Sequence, residues 1–308
     1  MTNQTVPMHI VAVAAFVTNS QGQVLLLKSP RYGDWEFPGG QVEESETLTH
    51  ALEREVFEGT GIIVRPVSLV GVYSKTRKPS ILMLDFICEY VSGEPKISAE
   101  SSQVEWVDRN EALSRVKRQA IHGRLKNMLE FSGEVTYRAY FVDPNRIDLN
   151  YAGTFMMKIL MRIWRVFPLW AHVLAARIVR PRFRVAVAAL VFDQQGKILL
   201  FKHTYRKLAW GIPVGGLEYD EQPEQGVIRE FFEESGMTIQ VEQLLLADSS
   251  RYDRHISLIY LCKIVSGEFR ESYEVSEMKY FEVNDLPQML FDEKDLIRSV
   301  HKSIWSAG

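Results

Sequence analysis

VAVAAFVTNSQGQVLLLK, from Val11 to Lys28, returns 174 residues downstream as VAVAALVFDQQGKILLFK, from Val185 to Lys202. Each stretch is an apolar, β-rich run, a turn at a glycine (Gly22, Gly196) and a second apolar run, which predicts two strands joined by a hairpin. WEFPGG at Trp35 is then matched by WGIPVG at Trp210, one residue having entered the intervening loop. The correspondence reaches the far end, where FICEYVSGE from Phe86 aligns with YLCKIVSGE from Tyr260. Glu100 ahead of VEW likewise aligns with Glu274 ahead of MKYF. Stacked solenoids repeat every 20 to 50 residues or so, and a period this long predicts two duplicated globular domains instead. The expected boundaries are 1–150 and 183–308, with 151–182 as a connecting segment.

Within each copy the apolar runs are followed by a loop and then a helix, expected over Glu46–Glu58 and Pro223–Ser235. The latter has proline at its first turn and Gly236 past its end. The runs LMLDFICEYV and ISLIYLCKIV predict further strands leading to a closing helix, so the fold class is α/β, mixed sheets flanked by helices. A length of 308 residues suits two such domains, and 46% hydrophobic with 24% charged residues leaves no room for extensive disorder. A net charge of -3 gives no bulk attraction for nucleic acid, and no specific nucleic-acid binding is expected. Cys88 and Cys262 lack the number and spacing of a disulfide scaffold or a zinc site, and they occupy equivalent strand positions, which predicts buried apolar side chains. A reducing, cytoplasmic location follows. The first residues, with Pro7 and His9 and no cationic region, do not read as a secretory signal.

On the second helix, a rotation of about 100° per residue places Glu230, Glu233 and Glu234 on one face, with Ile228, Phe231 and Phe232 expected on the opposite, core-facing side. Like charges three and four residues apart repel, more so when desolvated. A divalent cation relieves that repulsion. Oxygen-only ligands suit Mg2+ or Mn2+, which keep several waters and complete their shell with substrate phosphates.

The run Gly215, five residues, Glu221, seven residues, then Arg229-Glu230-Phe231-Phe232-Glu233-Glu234-Ser235-Gly236-Met237 resembles a complete Nudix box. The resemblance covers essentially the whole of each repeat. It implies two Nudix-like α/β/α sandwich domains and hydrolysis of a nucleoside diphosphate linked to another moiety. It also implies that Glu230, Glu233 and Glu234 are metal ligands and that Glu274 is a further ligand or general base. Glu221, Gly215 and Arg229 are implied to support them, Arg229 by orienting carboxylates through charge-assisted hydrogen bonds. In the first copy Gly40, Glu46, Arg54, Glu55, Val56, Glu58, Gly61 and Ile62 keep the spacing, but Gly59 stands where a glutamate belongs. Glu55, Glu58 and Glu100 remain for a weaker site. The expectation is a first domain that is impaired or non-catalytic, against the alternative of an active one.

Lys202, His203, Tyr205 and Arg206 before one loop, and Arg251, Arg254 and His255 before a strand, are candidate phosphate contacts. Trp35 and Trp210 fit loop or core packing better than base stacking. NDP-sugars, ADP-ribose-like compounds and dinucleotides are favoured over NTPs as substrates. The alternative function is a nucleotide-sensing regulator with little or no turnover. Residues 154–180 predict a basic amphipathic helical linker, with Lys158, Arg162 and Arg165 at helical spacing and Pro168 breaking it. Docking against the domains is its expected role, with membrane-surface contact and pairing with the same helix of another chain as the rivals. Either a monomer with its copies paired or a homodimer is compatible with the duplication.

Overall fold

In the computed structural model the described residues are 7–30, 32–75, 80–131, 133, 136–139, 181–249 and 254–305. The chain divides into two compact units. One is Met8–Phe183 with Ser249–Arg254, and the other is Arg184–Asp248 with His255–Gly308 and Met1–Pro7. The helical linker expected over 154–180, and Arg251, lie outside the described residues. So does most of the segment 135–149, apart from the strand at Thr136–Ala139.

The first unit runs β1 (Ile10–Thr18), β2 (Val24–Lys28), β3 (Trp35–Glu36), β4 (Gly39–Gln41), α1 (Leu48–Thr60), β5 (Ile63–Lys75), β6 (Ile81–Ser92), β7 (Gln103–Val107), α2 (Arg109–Arg115), α3 (Gln119–Leu129) and β8 (Thr136–Ala139). An eight-stranded mixed sheet has the order β3-β2-β1-β6-β5-β8, with β4 on β1 and β7 on β2. β1 pairs parallel with β6 from Ile10↔Ile81 to Thr18↔Glu89. Strands covered on both faces read as continuous apolar runs, and Ile10 to Val17 is buried without a break.

The second unit repeats the order as β9 (Arg184–Val191), β10 (Ile198–His203), β11 (Trp210–Gly211), β12 (Val214–Gly216), α4 (Pro223–Ser235), β13 (Thr238–Ser249), β14 (His255–Ser266), β15 (Val275–Phe281) and α5 (Phe291–Trp305). Here the strands form two sheets, β11-β10-β15 and β12-β9-β14-β13. In the first unit β1 and β2 meet at Thr18↔Val24 and join the two halves. The second has only the isolated bridge Phe192↔Ile198 at the matching place.

α4 has the bounds expected from Pro223 and Gly236. Gly236 adopts φ 72°, the left-handed conformation that glycine reaches at no steric cost, and its N–H closes on Phe232 O at 2.7 Å. α1 begins two residues later than expected. Thr47 caps it by accepting from the His50 N–H at 3.2 Å, which leaves Glu46 in the preceding loop. Phe232 is a second correction. Phe231 is buried on Phe201, ring centroids 5.2 Å apart, but Phe232 is 54% exposed and its counterpart Phe57 is 55% exposed. One step of about 100° along the helix turns Phe232 outward and brings Glu234, three residues after Phe231, to the buried side.

Candidate active site

Gly215 and Glu230 meet first, through backbone geometry. β12 ends beside α4 so closely that a Cβ on Gly215 would fall within the Glu230 carboxyl, and a Cβ on Gly40 would fall within that of Glu55. Only glycine lets the strand pass this near to the carboxylate. From the other side comes Arg229. Its Nε and Nη2 donate to the two oxygens of Glu221 at 3.0 and 2.7 Å, and Nη2 also reaches Gly216 O at 2.9 Å. Nη1 donates to Glu230 at 2.8 Å and to Glu233 at 3.2 Å. Glu221 accepts a further 2.6 Å bond from the Glu218 N–H. One guanidinium thus ties the loop before α4 to two of the helix's carboxylates, the planar fork making this possible.

Glu234 is different. It is 3% exposed, and neither of its oxygens has a hydrogen-bond partner. Burial, then the charges of Glu230 and Glu274, push its pKa up to about 8, against the weaker opposing pull of Arg206 and the nearby Val214 amide. Burial also raises Glu230, offset by Arg229 and reinforced by Glu233 and Glu274. The four acidic groups of the second repeat therefore share one field, Glu274, just ahead of β15, adding to the charge felt by both Glu230 and Glu234. Among the described residues no three acidic, histidine or cysteine side chains are close enough together to enclose an ion directly. Arg229 draws Glu230 and Glu233 toward itself, while Glu234 lies deeper.

The first repeat reproduces the frame. Arg54 donates to both oxygens of Glu46 at 2.8 Å, to Glu55 at 2.9 Å and to Gln41 O at 3.1 Å, and Glu58 lies 3.6 Å away. Burial, opposed by Arg54 and aided by Glu100 and Glu58, raises Glu55 to about 7. At Gly59 a Cβ would meet only the Leu27 side chain, at 3.5 Å, so space for a side chain begins there. The Gly59 carbonyl instead accepts from Ser101 at 2.7 Å.

Of the candidate phosphate contacts, Lys202 donates to Glu277 at 3.1 Å and Arg206 to Glu293 at 3.4 Å, and half-buried His255 opens β14. His203 departs from the expectation of a phosphate contact. It is 2% exposed, and burial followed by the Arg206 charge lowers its pKa to about 4, so at neutral pH it is an uncharged ring in the interior. The signal was in the sequence. His203 stands two residues after Phe201 in a strand, hence on the same face, toward α4. Trp210 packs edge-on against Phe281 at 4.8 Å, and Trp35 lies under Arg115 at 5.4 Å, so both are engaged in packing. Cys88 and Cys262 are free and buried, and burial pushes the Cys88 thiol up to about 12. No helix among the described residues is long and apolar enough to cross a membrane.

The NUDIX domain profile matches this chain twice, over residues 8–130 and 182–300. A MutT-like protein of Streptomyces ambofaciens is 38% identical over 110 residues, 36% of this chain and 71% of the relative. An ADP-ribose pyrophosphatase of Methanocaldococcus jannaschii is 31% identical over 131 residues, 40% of this chain and 75% of the relative. An 8-oxo-dGDP phosphatase of Danio rerio is 35% identical over 108 residues, 33% of each chain.

Proposed function

The chain belongs to the NUDIX family, and from that premise we propose that its second repeat hydrolyses the pyrophosphate bond of a nucleoside diphosphate joined to another moiety. One observation carries the reading: a buried carboxylate without partners, Glu234, shares its field with Glu230 and Glu274 beside an arginine that fixes Glu221, Glu230 and Glu233. Packing alone does not account for a buried acid left unsatisfied, which is costly unless a proton or a cation joins it. The donor set is all oxygen and anionic, a chemistry that suits Mg2+ or Mn2+; Glu230, Glu233 and Glu234, which do not enclose an ion as they stand, would close on it, with Glu274 as a further ligand or as the base. Such an ion supplies neutralisation of the phosphate oxygens and polarisation of phosphorus. Arg229 keeps two carboxylates at a set orientation, Gly215 lets Glu230 lie against the backbone, and Glu274 approaches from a separate loop.

ADP-ribose-like compounds, NDP-sugars and dinucleotides are the favoured substrates, and the name of the methanogen relative supports the first of these. In the first repeat the same arginine frame without a glutamate at position 59 is assigned ligand binding or weak turnover. Two free, buried cysteines support a reducing, cytoplasmic location.

A panel of nucleoside diphosphate derivatives assayed for nucleoside monophosphate release with Mg2+ and Mn2+ tests the reading. Metal-dependent release that is lost in Glu230→Gln/Glu233→Gln is expected. Ligand binding without hydrolysis across the panel would favour a sensor.

A further inference from the structure

His203 and Glu234 face each other in the interior of the second repeat, Nδ1 to Oε1 at 3.7 Å, with side-chain exposures of 0% and 3%. Neither ring nitrogen and neither carboxylate oxygen makes a hydrogen bond of good geometry, the Ile212 backbone near the ring and the Val214 amide near the carboxylate falling outside it. Buried polar groups are nearly always satisfied, and four orphaned atoms on two adjacent side chains mark a contact completed in another state. The separation is about half an ångström to one ångström beyond an N–H···O bond, within reach of a small side-chain rotation.

Two further observations tie the histidine to the glutamate. His203 ends β10, and there the β10–β15 ladder slips. Lys202 pairs with Glu277 but His203 with Val275, leaving Ser276 as an extra residue on β15 close to Glu274. The first repeat has the same five pairs, Val24↔Val107 to Lys28↔Gln103, but its ladder ends there, and the His203 counterpart Ser29 is not paired in it. Bulges of this kind re-aim side chains next to functional sites. The two repeats also differ at both positions together: the counterparts of His203 and Glu234 are Ser29 and Gly59. Where the acid is missing, so is the imidazole.

We propose that His203 is a positioning residue for Glu234, its ring N–H donating to one carboxylate oxygen of the ionised acid and leaving the other for the divalent ion. The inference rests on the reading of the second repeat as a metal-dependent hydrolase. Ligating carboxylates are commonly held by such an outer hydrogen bond, and losing it lowers metal affinity roughly 10–100-fold. The other groups facing the pair are Glu230, Glu274, Arg206, the Val214 amide, the Ile212 backbone and the ring of Tyr205, whose centroid lies 5.5 Å from that of His203.

The test is a Mn2+ titration by electron paramagnetic resonance, in the full chain carrying Glu55→Gln/Glu58→Gln so that the first repeat does not contribute. His203→Ala is expected to weaken Mn2+ binding about tenfold and to lower kcat with little change in KM. His203→Gln, which keeps an N–H donor, is expected to restore most of both, and His203→Ala is expected to add nothing in a Glu234→Gly background. Thermal unfolding of each variant checks that it folds. Affinity within twofold for His203→Ala, or an equal loss with and without Glu234, overturns the inference while leaving the hydrolase reading intact. No Mn2+ binding by the parent chain overturns both.

Discussion

Arg229 grips Glu221 with two parallel hydrogen bonds, at 3.0 and 2.7 Å, and spends its remaining nitrogen on Glu230 and Glu233. The fork matters as much as the charge. Arg229→Lys keeps a cation but cannot hold both oxygens of Glu221 and still reach two helix carboxylates. The expected result is a kcat about 10–100-fold lower, in line with losing an outer-shell partner of a metal site, with KM changed far less. Steady-state kinetics on whichever substrate the panel identifies measures it, and an unchanged kcat would remove Arg229 from the site's support.

Gly215→Ala introduces a methyl group into the space of the Glu230 carboxyl. Overpacking of this kind costs about 1–3 kcal/mol, and relief requires moving Glu230. A lower unfolding temperature together with lost turnover is expected, and Gly40→Ala should destabilise the first repeat in the same way through Glu55. In contrast, Gly216→Ala meets nothing nearby and is the control.

Gly59→Glu in the first repeat supplies the missing carboxylate where a Cβ has room beside Leu27. It also replaces a helical glycine, worth up to about 1 kcal/mol of helix propensity. In a chain whose second repeat carries Glu230→Gln/Glu233→Gln, Mn2+ binding is expected to tighten. Adding Ser29→His should tighten it further, since that change restores the pair found in the second repeat. Calorimetric titration of the two variants against the parent reads both steps, and no gain from either would show that the first repeat lacks more than one ligand.

The raised pKa of Glu234 has two consequences of opposite sign. On the proposed ligand set a divalent ion displaces its proton, so Mn2+ affinity should climb with pH and level off above about 8. Without metal, the folded protein holds a proton that the unfolded chain releases near its ordinary 4.5, so this contribution to stability is full below 4.5 and lost as pH rises through 8. Glu55 acts likewise through about 7. His203, lowered from 6.5 to about 4, works the other way, adding stability as pH rises from 4 to 6.5. In chelator, the unfolding temperature should therefore fall between pH 6.5 and 8.5, less steeply in Glu234→Gln, and Mn2+ should restore most at the upper end.

What was legible along the chain was whatever depends on near neighbours and on fixed spacing. The duplication, the bounds of α4 between Pro223 and Gly236, the buried strand at Val11–Val17 and the arginine-centred support of Glu221 and Glu230 all follow from local periodicity, capping and motif. Less local features went astray. Phe232 was expected inside and faces solvent, because a helix's buried stripe is set by what packs on it and one residue's rotation decides the side.

The order of residues by itself determined two copies of one α/β unit and which of them carries a full acidic helix, since those are matters of identity and interval. Only the tertiary structure decided that Glu234 points inward without a partner, that His203 meets it across a strand-to-helix gap, and that the second copy parts into two sheets where the first stays whole. Each of these depends on segments tens of residues apart coming within a few ångströms, and burial at that contact, rather than residue type, sets whether a histidine is a surface cation or a neutral group in the core.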